Sequence, residues 1–153
     1  MTDLTRLLAD HAFFQGLEPH LVDKVADLAT VVDFRAGTWI ARSGTDAGTF
    51  HAVIDGRAGV ELSAADREPL LVATVHPGEV IGWSWFVEPH QWHFDVLALD
   101  DLRTVAVDGQ LLRNACAADH ELGYQISRRL TRVVASRLEA TRHQLVDVYG
   151  HAR

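Results

Sequence analysis

The strongest constraint on this chain is a series of short β-type runs held between two helical ends. Val31–Phe34, Thr38–Ala41, Thr49–Ile54, Gly59–Leu62, Leu70–Val75 and Val96–Leu99 are brief and rich in branched or aromatic side chains. Turn residues separate them: Ala36-Gly37, Ser43-Gly44-Thr45-Asp46, Asp55-Gly56, Asp66-Arg67-Glu68-Pro69 and Pro77-Gly78. Many short strands at this spacing predict a sandwich, jelly roll or barrel.

Both ends follow the helical period. Leu4, Leu7, Leu8 and His11 fall on one face, and the helix ends at Phe13-Phe14-Gln15-Gly16-Leu17. Pro19 opens a second helix, where its missing N–H does no harm, and Leu21, Val22, Val25, Ala26 and Leu28 give it an apolar stripe. After the strands, Asp108–Arg113 reads as a short helix and about Asp119–Val148 as a long one. Leu122, Ile126, Leu130, Val133, Val134, Leu138, Leu145 and Val148 run along the long helix as a stripe. About 30 helical residues extend about 45 Å, more than a small barrel can cover. The stripe therefore predicts a homodimer seam, with Ile126, Leu130, Val134, Leu138 and Leu145 as the residues that form it. The alternative is a helix folded back on its own barrel. The chain reads as one domain over 1–153, with helices over about 1–29, strands over 30–107 and helices over 108–150.

Composition narrows the function. The chain has 153 residues and a net charge of −7, so a phosphate backbone is not its natural partner. The acidic excess lies before Asp108, and the last segment is mildly basic. One cysteine, Cys116, excludes an internal disulfide and a multi-cysteine metal site, and reads as a small buried hydrophobe. No stretch is long and apolar enough to span a membrane, and the first residues do not read as a signal peptide. A cytoplasmic protein is expected.

The middle carries a glycine frame: Gly37-Thr38-Trp39-Ile40, Gly44, Ala47, then Phe50-His51-Ala52-Val53-Ile54-Asp55-Gly56 and Val60. With Pro77-Gly78-Glu79-Val80-Ile81-Gly82 and the long last helix, this frame resembles the cyclic-nucleotide-binding domains of the catabolite-activator and Fnr regulators. The resemblance runs from about Leu4 to Gly150. It implies an α+β fold: a β jelly-roll barrel (a double-stranded β-helix) flanked by N-terminal helices and a long C-terminal dimerisation helix. It also implies a cyclic nucleotide held by the cassette after Gly82.

Two features depart from the family pattern. Where the family has a ribose-binding Glu this chain has Trp83. Where it has a phosphate-binding Arg followed by Ser or Thr, this chain has His93 and Phe94. No Arg or Lys lies between Gly82 and Asp95. A buried phosphate wants a fixed cation with a bidentate fork, which an imidazole does not supply. The second departure is that the family's helix-turn-helix follows a hinge resembling Leu145–Gly150, and here the sequence ends three residues later. No DNA binding by this chain is expected.

Gly82, Trp83, Ser84, Trp85, His93 and Phe94 are thus the candidate ligand-binding residues. The aromatic cluster of Trp83, Trp85, Phe86, Trp92 and Phe94 has three readings: a plug for the barrel, a pocket for a flat ligand, or a protein-docking patch. His90-x-x-His93 lacks the companion ligands of a jelly-roll metal centre, so no metal is expected, and no cofactor is required. No Ser/His/Asp set or phosphate loop appears, so an enzyme is not expected. Arg128, Arg129, Arg132, Arg137 and Arg142 read as a solvated helix face paired with Glu121, Glu139 and Asp147, or as contacts to a ligand or partner. Two functions follow: a dimeric regulatory sensor for a nucleotide-like ligand, or a ligand-free dimeric scaffold that regulates a partner protein through the aromatic cassette.

Overall fold

The computed structural model describes residues 2–151; Met1, Ala152 and Arg153 of the 1–153 domain lie outside the described residues. The chain opens with α1 (Asp3–Asp10), a single 3-10 turn (Ala12–Phe14) and α2 (Pro19–Ala26). Thr2 caps α1 by accepting the Thr5 N–H at 3.1 Å. Pro19 sits at the start of α2, and Leu21, Val22, Val25 and Ala26 are buried. Eight strands follow: β1 (Ala29–Phe34), β2 (Trp39–Ala41), β3 (Thr49–Asp55), β4 (Ala58–Leu62), β5 (Leu70–Val75), β6 (Val80–Ile81), β7 (Asp95–Ala98) and β8 (Leu102–Asp108). Two helices close the chain, α3 (Gly109–Ala118) and α4 (His120–His151).

The strands form two four-stranded antiparallel sheets, ordered β1-β8-β3-β6 and β2-β7-β4-β5. This is the jelly roll that the resemblance implied, one of the three architectures the turn spacing allowed. Phe50, Val53, Val105 and Val107 on one sheet and Ala58, Val60, Val96 and Ala98 on the other contribute to the buried core. The glycine frame serves the turns: Gly37, Gly44, Gly56, Gly78 and Gly82 all have φ between 85° and 100°. At Gly56 there is a second reason, because a Cβ would collide with the Asp101 carbonyl across the turn.

Two strands fall outside the runs read from sequence. β8 pairs with both β1 and β3, so it is a central strand of its sheet. β6 is only two residues long and leads into the cassette. α3 also runs further than expected, to Ala118 rather than Arg113. Its start is fixed by the Asp108 carboxylate, which accepts the Leu111 N–H at 2.9 Å.

The stripe along α4 divides into two. Leu122, Ile126 and Leu130 are 0–3% exposed and pack into the core, with Val133 half-buried against them. The inward face continues past Val133 through the half-buried Arg137, Ala140 and Gln144, while most of the other residues from Leu138 onward are exposed. The helix folded back on its own barrel, given above as the alternative, holds for the inner part of the stripe, and the rest of the stripe is exposed in the single chain. Ile126 and Leu130 lie against the chain's own barrel. Leu138 and Leu145 are 69% and 55% exposed, and Val134 is half-buried on the outward side.

Candidate functional site

The cassette is built by a short lead strand and a glycine exit. Ile81 is buried beside β3, and Gly82 then turns the chain with φ +100°. Trp83 to Phe86 form a turn rather than a helix, closed by the Phe86 N–H donating to the Trp83 carbonyl at 3.1 Å. The return segment is pinned to the Gly44–Ala47 loop. Gly44 donates to the Trp92 carbonyl, Trp92 to the Thr45 carbonyl, and Ala47 to the His90 carbonyl, at 2.8–2.9 Å. Asp95 anchors the end of the cassette, buried at 2% exposure. Its carboxylate accepts the Ser43 N–H at 2.7 Å and the Ser63 hydroxyl, with the Arg42 guanidinium 3.4 Å away. Burial alone would raise its pKa. The Ser63 and Ser43 hydrogen bonds and the Arg42 charge outweigh it and hold the group below the usual carboxylate value.

Five of the six candidate ligand residues meet around one cavity. Gly82, Trp83, Ser84, His93 and Phe94 line it, together with Trp92, Val60, Ile81, Val96 and Arg137. The cavity measures about 20 Å3. That is room for about one water molecule, where a ligand pocket needs about 300 Å3 or more. Trp92 is the main reason. Its ring lies over Gly82 so closely that a Cβ there would come within 2.8 Å of it, and only 9% of the residue is exposed. Trp83 stacks on the His93 ring, with centroids 4.8 Å apart and planes 20° off parallel. His93 Nδ1 is 3.1 Å from the hydroxyl of buried Ser84. His93, at the position of the family's arginine, is thus engaged by both Trp83 and Ser84.

Trp85 lies elsewhere. It is fully buried against Phe50 and Phe86, with ring centroids 5.4 Å and 5.3 Å away, and its Cβ lies under Gly109 at the start of α3. Its carbonyl accepts a hydrogen bond from Arg113 at 2.5 Å. Its indole N–H has no partner among the described residues. Trp85 is a core residue that fixes the cassette to α3.

The structure adds Arg137, one of the arginines read from the sequence either as a solvated face or as contacts to a ligand or partner. Arg137 reaches the wall of the cavity from α4. Burial pushes its pKa down, while the charge of Glu79 acts in the opposite sense. The available signal was helical spacing, since Arg137 continues the inward series Ile126, Leu130, Val133 as its one charged member. Of the expected arginine pairings, only Arg142 with Glu139 forms among the described residues, at 3.6 Å, and Glu121 faces His20 instead. Cys116 is buried as expected, and burial followed by the Asp119 charge pushes its thiol up to about 11. Among the described residues the only metal-type cluster is Glu18, His20 and Glu121, all exposed. No described helix is long and apolar enough to cross a membrane.

A jelly roll with a glycine-led cassette and a long last helix defines a class of small-ligand regulatory domains. Residues 31–119 match the family model of the cyclic nucleotide-binding domain, and the chain belongs to that family. It is 26% identical over 145 residues to a CRP-like cAMP-activated global transcriptional regulator of Mycobacterium tuberculosis. That match covers 95% of this chain and 63% of the relative. Among solved structures it resembles a protein of Geobacter metallireducens assigned to the cyclic nucleotide-binding proteins, with a TM-score of 0.78 and 22% identity. The match covers 90% of this chain and 99% of that one. It also resembles the regulatory subunit of a cAMP-independent protein kinase A from Trypanosoma cruzi bound to guanosine. There the TM-score is 0.74 and the identity 23%, over 95% of this chain and 50% of that one.

Proposed function

We propose that this chain is a regulatory domain that dimerises through α4 and acts on a partner protein, its barrel closed to cyclic nucleotides. The observation that carries the reading is the cavity of about 20 Å3 where the family's ligand would lie, filled by Trp92, Trp83 and Phe94. The cassette supplies no cation of its own, and Arg137, which reaches the cavity wall from α4, faces a space too small for a nucleotide phosphate and its ribose. The curated relative is named as cAMP-activated, while the Trypanosoma cruzi subunit is named as cAMP-independent, so regulation without cyclic AMP has a precedent on this fold. With a net charge of −7, duplex DNA is not the proposed partner.

Dimerisation rests on the outward face of α4. Ser127, Thr131, Val134, Leu138, Thr141, Leu145 and Val148 alternate at spacings of four and three, the heptad period of a paired helix. The hydroxyls of Ser127, Thr131 and Thr141 each donate to the carbonyl four residues earlier, at 2.7–2.8 Å. Those positions therefore enter a seam with their polar atoms already satisfied. Leu138, Leu145 and Val148 leave apolar surface that a second copy would cover. Sedimentation velocity at micromolar concentration, with and without cyclic AMP, tests this reading. A dimer unchanged by the nucleotide is expected. A monomer, or a dimer that forms only with cyclic AMP, would contradict it.

A further inference from the structure

A second cavity lies outside the barrel, between α4 and the β5–β6 turn, and measures about 280 Å3. Its polar side is made by Arg129, Arg132, Ser136 and Arg137. We propose that this cavity binds a small phosphate-bearing molecule, held by the α4 arginines against the outside of the barrel.

Charge carries the argument. Arg129 is only 9% exposed, yet every partner of its guanidinium is neutral. Nε donates to the Phe13 carbonyl at 2.8 Å, Nη2 to the Gln15 carbonyl at 2.6 Å and Nη1 to the Gln125 side-chain oxygen at 2.6 Å. A buried cation is ordinarily matched by an anion. Burial first, then the Arg128 and Arg132 charges, depress its pKa, as an uncompensated positive cluster requires. The guanidiniums of Arg132 and Arg137 make no hydrogen bond or ion pair among the described residues, although the Arg137 backbone carbonyl accepts from Thr141. The one acid at the cavity is Glu79, whose carboxylate accepts the His76 N–H at 2.9 Å and faces the His76 ring at 3.2 Å. Three guanidiniums thus surround one cavity against a single occupied carboxylate, in a chain that is acidic overall.

A phosphoryl group fits this arrangement better than a carboxylate. It brings up to two negative charges and three terminal oxygens, enough for two guanidinium forks and the Ser136 hydroxyl. The opposite wall is apolar, formed by Phe13, Val80 and Val133. The space exceeds what inorganic phosphate alone would fill, so a compact organic body attached to the phosphate would lie on that wall. Ser136 lies about 160° around the helix from Leu138 at 100° per residue, so pairing of α4 would leave this cavity open. A ligand here would bridge α4 to the turn that leads into the cassette.

The test titrates the full chain by phosphorus NMR and calorimetry at low ionic strength. Inorganic phosphate and glycerol 3-phosphate are the probes, and chloride at matched ionic strength is the control. Saturable binding of phosphate in the millimolar range or tighter is expected, at least tenfold weaker in Arg132→Gln and in Arg137→Gln. Both side chains lie at the surface or half-buried, so circular dichroism should show both variants folded. Tighter binding of the ester would place an organic body on the apolar wall, and equal binding would identify a free-anion site. No saturable binding of either probe, or binding unchanged in the double variant, would overturn the proposal.

Discussion

Replacing Leu138 by Asp separates the two faces of α4. Leu138 is 69% exposed in the single chain and lies on the face of α4 turned away from the barrel. Full burial of a leucine side chain contributes about 1.5–3 kcal/mol, so covering this exposed fraction in a seam would contribute about 1–2 kcal/mol per chain. A symmetric dimer loses that twice and must also desolvate two unpaired carboxylates, which adds further cost. The total of about 2–4 kcal/mol before the carboxylate term corresponds to a dissociation constant weakened about 30-fold to nearly 1,000-fold, and the carboxylate term adds to that. Analytical ultracentrifugation across a concentration series reads this directly, with circular dichroism as the check on folding. The expected product is a folded monomer. Leu130→Asp is the contrast: at 3% exposure it places a charge in the core, and the domain itself should unfold. A Leu138→Asp protein that stays dimeric at micromolar concentration would refute the seam. One that unfolds as Leu130→Asp does would refute the division of the helix into two faces.

Stability should fall as the solution is acidified through the histidine range. His51 is buried, its Nδ1 is 3.0 Å from the Thr104 hydroxyl, and burial lowers its pKa from 6.5 to about 4. A group depressed in the folded state leaves full stability above 6.5 and withdraws it as pH falls toward 4, about 2 kcal/mol by pH 5. His11 acts in the same sense, chiefly through burial. The stabilised carboxylates, all held below 3.8, stay ionised across this window. Urea midpoints at pH 8 and pH 5 measure the loss, and equal midpoints would contradict it. Gly82→Ala should destabilise by about 2–4 kcal/mol, because it combines a left-handed φ with a Cβ driven into the Trp92 ring. A neutral substitution would mean that Trp92 does not sit on Gly82.

Much of the barrel was legible because its turns are written in glycine and proline, and six of its eight strands are apolar runs between them. β8 was missed because Arg103 and Thr104 interrupt its apolar pattern. Only pairing shows that Thr104 is fully buried against His51 while Arg103 reaches out to Asp33. The cassette was legible as an absence of arginine. Whether its tryptophans pack inward depended on tertiary position, which separates Trp85, in the core beside Phe50, from Trp92, over Gly82. The α4 stripe ran together in sequence because consecutive apolar residues, Val133 and Val134, belong to different faces. Helical spacing puts Arg137 on the inward face of α4, but what it meets there, the cassette and strands more than forty residues earlier, is set only by the tertiary fold.

The most direct test of the closed barrel is the fluorescence of its own tryptophans during titration with cyclic AMP and cyclic GMP. Trp83 and Trp92 occupy the walls of the cavity, so a nucleotide that enters must displace or stack on them. No saturable change up to millimolar nucleotide is expected. A saturable change with a micromolar midpoint would show that the indoles move aside for ligand, and would contradict the reading of this domain as a scaffold closed to cyclic nucleotides.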